Sequence, residues 1–177
     1  IFDESQTGVG RTGKMFAYEH EGIKPDIVTL AKGLAGGVPI GAFMASEAVA
    51  KSFHPGDHGS TFGGNPLAAA AANAVLDVIE EEALVENAAK MGRYFVGKLQ
   101  GLAVEFPALI KDVRGRGLLV GMELTQPGSS IVLSCMTQGV IINCTAGNVL
   151  RFVPPLIVTE KEIDRVVAVL ADVLRQQ

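Results

Sequence analysis

Twice within the first 37 residues a short apolar segment runs straight into a glycine-rich stretch. Ile1-Phe2-Asp3 leads to Gly8-Val-Gly-Arg-Thr-Gly13, and Ile27-Val-Thr-Leu30 leads through Ala31-Lys32 to Gly33-Leu-Ala-Gly-Gly37. Short apolar runs bounded by glycine read as buried strands and their ends. The glycines punctuate any regular element, so the exits read as loops needing positive φ. Pro39 to Ala45 reads as a further apolar strand. Asn65-Pro66 then opens a long helix, because Asn accepts from a free first-turn N–H and Pro at N1 lacks the N–H that would be orphaned. Helix formers continue to about Glu82, and a second helix is expected from about Leu84 to Gln100. Strands alternating with helices in this way predict an α/β sheet, and such sheets bind ligands at the carboxyl edge of their strands.

The texture changes near Phe106-Pro107. Ile110 to Arg116 and Leu118 to Leu124 predict an antiparallel pair about Gly115-Arg116-Gly117. A short helix near Ser130–Gln138 follows, then strands at Val140–Ile142 and Val149–Phe152. Thr159-x-x-Glu162 is a capping box. The helix it opens carries Ile163, Val166, Val167, Leu170, Val173 and Leu174 on one stripe at 3–4 spacing. The second half therefore reads as a small α+β unit.

Composition narrows the function classes. Fifteen Lys plus Arg against nineteen acids give a net charge of −4, with no basic footprint for nucleic acid or an anionic membrane. Lys32, Asn73 and Asp77 interrupt the longest apolar stretches, so no transmembrane span is expected. Two cysteines, Cys135 and Cys144, are too few for a disulfide scaffold and predict a reducing compartment. They read as small core hydrophobes. His20, His54 and His58 lack metal-ligand spacing and read as surface or loop residues, so no metal is expected. The opening Ile1-Phe2-Asp3-Glu4, without an initiator Met, reads as the end of a strand whose beginning is absent, and the 177 residues as a piece of a longer protein.

Several residues carry chemistry with more than one reading. Gly8-Val-Gly-Arg-Thr-Gly13-Lys14 is close to a nucleotide-phosphate loop, but Met15 stands where the magnesium-binding hydroxyl belongs. Asp3, ending an apolar strand, is either a structural cap or a functional carboxylate at the sheet edge. Lys32 is either a solvated loop cation or, hemmed by apolar residues and glycines, a desolvated nucleophile able to condense with a carbonyl. Gly59-Ser-Thr-Phe-Gly-Gly-Asn65-Pro66 is either an N-capped turn or a phosphate site before a helix N-terminus. Arg151, in the apolar run Val149-Leu-Arg-Phe-Val-Pro-Pro155, needs an anionic partner, either an internal acid or a substrate carboxylate.

Taken together, Phe2-Asp-Glu-Ser-Gln-Thr-Gly-Val-Gly-Arg-Thr-Gly13, Pro25-Asp-Ile, Leu30-Ala-Lys-Gly-Leu-Ala-Gly-Gly37, Pro39-Ile-Gly-Ala42 and His58-Gly-Ser-Thr-Phe-Gly-Gly-Asn-Pro-Leu-Ala68 resemble the class-III (ornithine-type) aminotransferases. Gly139-Val-Ile-Ile-Asn-Cys-Thr145 and Val149-Leu-Arg-Phe-Val-Pro-Pro-Leu156 are most like the acetylornithine-type members of arginine biosynthesis. Ornithine, succinylornithine and 4-aminobutyrate enzymes share much of the pattern. The resemblance implies a carboxy-terminal portion of the aspartate-aminotransferase-like fold: residues 1–82 in a partial large cofactor-binding domain, 83–100 a connecting helix, and 101–177 a small carboxy-terminal domain. It implies pyridoxal 5′-phosphate as cofactor, amino-acid and 2-oxo-acid substrates, a homodimer and a cytoplasmic location.

By the same resemblance, Lys32 is similar to the lysine that holds the cofactor covalently and shuttles the reaction's proton. Asp3 is similar to the carboxylate that pairs with the pyridine nitrogen, where a buried negative charge keeps the ring protonated. Gln6 resembles the residue near the cofactor's phenolic oxygen. Thr61, with Ser60 beside it, resembles the hydroxyl that reaches the phosphate of the neighbouring subunit's cofactor, and Arg151 the arginine that holds a substrate carboxylate. Ser5 departs from the branched apolar residue usual there. The family's phosphate turn, ring-stacking aromatic and second arginine have no counterpart in these residues. A catalytically inactive structural portion is therefore the competing expectation.

Overall fold

A computed structural model describes all 177 residues. By its internal contacts the chain divides into two compact units, Ile1–Glu86 and Asn87–Gln177.

The first unit holds a three-stranded sheet in the order β1-β2-β3, with β1 Phe2–Asp3, β2 Ile27–Leu30 and β3 Ala42–Ala45. β1 runs parallel to β2 with Asp3 opposite Thr29, and β3 runs antiparallel to β2. The strand expected over Pro39–Ala45 begins only at Ala42, which pairs with Leu30. β2 ends at Leu30, so the residues before Ala42 have no strand to meet. A 3-10 turn over Lys32–Ala35 leaves β2, and a short helix α1 spans Glu47–Ala50. Helix α2, Pro66–Glu81, starts as the sequence predicts: Asn65 Oδ1 accepts from the Ala68 N–H at 3.0 Å. Val9, Val28, Leu30, Leu34, Ala35, Ala68, Ala72, Ile79 and Leu84 form the unit's buried apolar set.

The second unit is a four-stranded antiparallel sheet in the order β4-β5-β7-β6, with β4 Ile110–Arg116, β5 Leu119–Leu124, β6 Asn143–Thr145 and β7 Val149–Phe152. β5 alternates as a half-buried strand should: Val120, Met122 and Leu124 are buried. Helices α3 (Leu84–Glu105), α4 (Ser129–Thr137) and α5 (Glu160–Leu174) complete it. α3 runs past the expected Gln100 and ends before Pro107, which disfavours helix in the preceding residue. Ala88, Met91, Phe95, Leu99 and Leu102 of α3 lie in one apolar core with β5, β7 and α5. The α5 stripe packs as its spacing predicts, with Ile163, Leu170, Val173 and Leu174 almost fully buried.

One strand is displaced from its expected place. The apolar run Val140-Ile141-Ile142 is not the strand; pairing starts at Asn143 opposite Arg151 and closes at Thr145 opposite Val149. The turn at Ala146-Gly147, both at positive φ, sets the register from that end. At the other end β7 gives way to Pro154-Pro155, which have no N–H to offer a partner. Ile141 is left 89% exposed. No helix of the chain is long and apolar enough to cross a membrane.

Candidate active site

The carboxyl end of β1 and the exit of β2 lie side by side because the two strands are parallel and in register at Asp3 and Thr29. Asp3 Oδ1 accepts from the Ser5 N–H at 2.9 Å and from the Thr29 hydroxyl at 3.0 Å. These bonds, the one from Ser5 first, together with the nearby Lys32 ammonium, hold the Asp3 carboxyl below its ordinary range. It stays an ionised acceptor at neutral pH.

Lys32 follows β2 after a single residue. Its backbone stands in the left-handed region, at φ 48°, where a side chain costs about 1–2 kcal/mol. Its amine donates to Gln6 Oε1 at 2.9 Å. An acid, an amide and an amine from three separate sequence positions therefore converge at one sheet edge. The expectation of burial is corrected here: Asp3 and Lys32 are both exposed in this chain, because nothing in the first unit packs over the strand ends.

Ser60 and Thr61 lie on the exposed turn ahead of α2. Ser60 Oγ accepts from the Gly63 N–H at 2.9 Å, so it is engaged in shaping the turn, while Asn65 caps the helix. Thr29, Phe43, His58 and Ser60 border an open groove of about 830 Å³. The loop at Gly8–Gly13 does not open a helix; a 3-10 turn over Ala17–His20 follows it. It therefore lacks the helix N-terminus that a nucleotide-phosphate loop requires.

In the second unit Arg151 is half-buried on β7. It lines a cleft of about 370 Å³ with Phe95, Ile142, Asn143, Phe152 and Pro155. No acid lines that cleft, which leaves the guanidinium available to an anion from outside the chain. Cys135 is fully buried, and burial pushes its thiol up to about 11, so it behaves as a core residue.

Sequence reasoning missed Thr29. Its signal was a single hydroxyl inside Ile27-Val-Thr-Leu30, which becomes meaningful only once the register puts it opposite Asp3.

The family model for aminotransferase class-III matches residues 1–174. The chain belongs to the class-III aminotransferase family. It is 51% identical over 174 residues to acetylornithine aminotransferase from Aquifex aeolicus, covering 98% of this chain and 44% of that protein. To the enzyme of the same name from Caldanaerobacter subterraneus it is 54% identical over 177 residues, again covering 44% of the relative. The chain thus spans under half the length of the curated relatives it matches. Among solved structures, acetylornithine aminotransferase from Elizabethkingia anophelis superposes with a TM-score of 0.91 at 39% identity, over 98% of this chain and 45% of that one. An ornithine aminotransferase from Toxoplasma gondii, described with PLP at partial occupancy in its active site, superposes with a TM-score of 0.91 at 38% identity, over 97% of this chain and 42% of that one.

Class-III aminotransferases depend on pyridoxal phosphate. The donor set of the first unit fits that group. A protonated pyridine nitrogen needs an acceptor that stays ionised, which Asp3 is. An aldehyde needs a primary amine, and Lys32 presents one from a backbone held in place by the exit of β2.

Proposed function

We propose that the whole protein to which these residues belong is a pyridoxal-phosphate-dependent transaminase. Its reaction is N-acetylornithine plus 2-oxoglutarate giving N-acetylglutamate semialdehyde plus glutamate, a step of arginine biosynthesis. The observation that carries this reading is the convergence of the Asp3 carboxylate with the Lys32–Gln6 pair on adjacent parallel strand ends. The narrower choice of donor is supported by 51–54% identity to acetylornithine aminotransferases.

When bound, pyridoxal phosphate supplies an electron sink for the carbon that carries the transferred amine. Asp3 would accept a hydrogen bond from the protonated ring nitrogen and, by its negative charge, keep the proton on that nitrogen. Lys32 would hold the cofactor through its amine and, with that amine free, would move the proton at the reacting carbon. Gln6 orients that amine through its carbonyl oxygen. Thr61, with Ser60 shaping its turn, is proposed to reach the phosphate of a neighbouring subunit's cofactor, so the active unit is a homodimer. Arg151 is proposed to hold a substrate carboxylate. The first unit is read as part of the large cofactor-binding domain and the second as the small domain. A cytoplasmic location is part of the same proposal. Asp3 and Lys32 are exposed in the chain by itself, so catalysis is assigned to the whole protein.

A panel of amino donors on the full-length protein tests the specificity. N-acetylornithine is expected to exceed ornithine, succinylornithine and 4-aminobutyrate in kcat/KM by at least about tenfold, a difference of about 1.4 kcal/mol in transition-state binding. Equal or better turnover of any of the other three would reject the choice of donor. Arg151→Lys keeps the charge but loses the planar fork that grips a carboxylate. It is expected to raise KM for 2-oxoglutarate about ten- to a hundredfold, measured by steady-state kinetics. An unchanged KM removes Arg151 from the substrate site.

A further inference from the structure

A polar group taken out of water is costly unless its atoms find partners, and Glu4 is only 3% exposed. Its Oε2 accepts from the Thr7 hydroxyl, and its Oε1 accepts from the Tyr18 N–H at 3.0 Å. Its backbone is equally committed. The N–H donates to the Thr29 carbonyl at 2.9 Å, and the carbonyl accepts from the Gly8 N–H at 2.9 Å. One residue thus joins the end of β1, the middle of β2, the glycine loop and the 3-10 turn at Ala17–His20.

Its neighbours in sequence are the site. Asp3 precedes it, and Ser5 and Gln6 follow. The Ser5 N–H bonds the Asp3 carboxylate, and the Gln6 carbonyl bonds Lys32. Both contacts hang on the backbone either side of Glu4. An apolar side chain of similar size would fill the space but leave the Tyr18 N–H and the Thr7 hydroxyl unpaired, freeing that backbone to shift. Misplacement by about 1 Å at such a site can cost about 10²-fold.

We propose that Glu4 is a positioning residue for the cofactor site: its buried carboxyl group, held by Thr7 and Tyr18, fixes the backbone that carries Asp3, Ser5 and Gln6, and so sets where the ring-nitrogen acceptor and the partner of Lys32 stand. The inference rests on the cofactor reading given above.

The test titrates pyridoxal phosphate into the cofactor-free full-length protein, for wild type, Glu4→Ala, Glu4→Gln and Thr7→Val, with thermal melts of the same samples. In Glu4→Gln the carbonyl oxygen still accepts from Tyr18, and the amide donates to the Thr7 hydroxyl, which can accept as well as donate. Glu4→Ala is expected to weaken binding at least about tenfold and Thr7→Val severalfold, while Glu4→Gln stays within about threefold of wild type. Wild-type affinity in Glu4→Ala overturns the proposal, as does a Glu4→Gln variant no tighter than Glu4→Ala. If Glu4→Ala fails to fold, Thr7→Val decides: unchanged affinity is the overturning result. Gly92→Ala, destabilised in the other unit, controls for stability, and an equal loss of affinity there also counts against Glu4. Lys32→Ala tests the reading beneath. If it binds the cofactor with wild-type affinity and absorbance, the cofactor reading fails, whereas a Glu4 failure with Lys32 behaving as expected defeats only the positioning role.

Discussion

Lys32→Ala in the full-length protein is expected to lower transamination at least about 10³-fold, because on the proposed function one substitution removes both the amine that would hold the cofactor and the base that would move the proton. The absorbance of the covalently held cofactor should vanish with it. Alanine suits this experiment for a backbone reason. Lys32 stands at φ 48°, and any residue with a Cβ carries the same strain there. The fold is left as it was, and the loss reports the ammonium alone. Gln6 loses its donor at 2.9 Å but is only partly buried, so water replaces the bond. Retention of more than about a tenth of wild-type turnover would mean that Lys32 supplies neither function.

Gly92→Ala is expected to destabilise the second unit by about 3 kcal/mol or more, the upper range for overpacking a site that cannot give way. A Cβ on Gly92 would sit 2.2 Å from the carbonyl oxygen of Gly117 and 2.5 Å from its Cα. The obstacle is backbone at the turn between β4 and β5, not the flexible end of a side chain. The helix cannot swing away, since Ala88, Met91 and Phe95 of α3 are each at most 3% exposed in the core. The melting transition should fall on the order of 10 °C, seen by calorimetry or circular dichroism. A drop under about 2 °C would show that α3 does not press on this turn.

The contrast between these two positions shows where sequence reading stops. Lys32 was legible because its surroundings are local: a β-rich run, a lysine and a cluster of glycines lie within eleven residues. Gly92 was not. It sits in a helical pattern where alanine would suit the helix better, and the turn it touches lies 25 residues further along the chain. The same division runs through the site. The Asp3 motif was readable, but the hydroxyl that fixes Asp3 comes from Thr29, 26 residues away, through a strand register no local pattern specifies. Glu4 shows no role in the sequence motif that contains it, since its burial and its partner at Tyr18 exist only after the glycine loop has closed.

Periodicity and capping acted alone where their physics is short-range. The Asn65-Pro66 start of α2, the Thr159–Glu162 capping box and the apolar stripe of α5 depend on neighbours within a turn or two. The resemblance to class-III aminotransferases was likewise carried by contiguous motifs. Strand pairing decided the rest. A strand's hydrogen bonds lie on another part of the chain, so the start of β3 waits on where β2 ends, and β6 falls at Asn143 because Pro154-Pro155 and the turn at Ala146-Gly147 bound its partner. Through the same dependence, the parallel pairing of two short strands brings Asp3 and Thr29 together, and the exit of β2 sets Lys32 against Gln6. The residue types were written in the sequence, and their meeting at one edge was decided by tertiary structure.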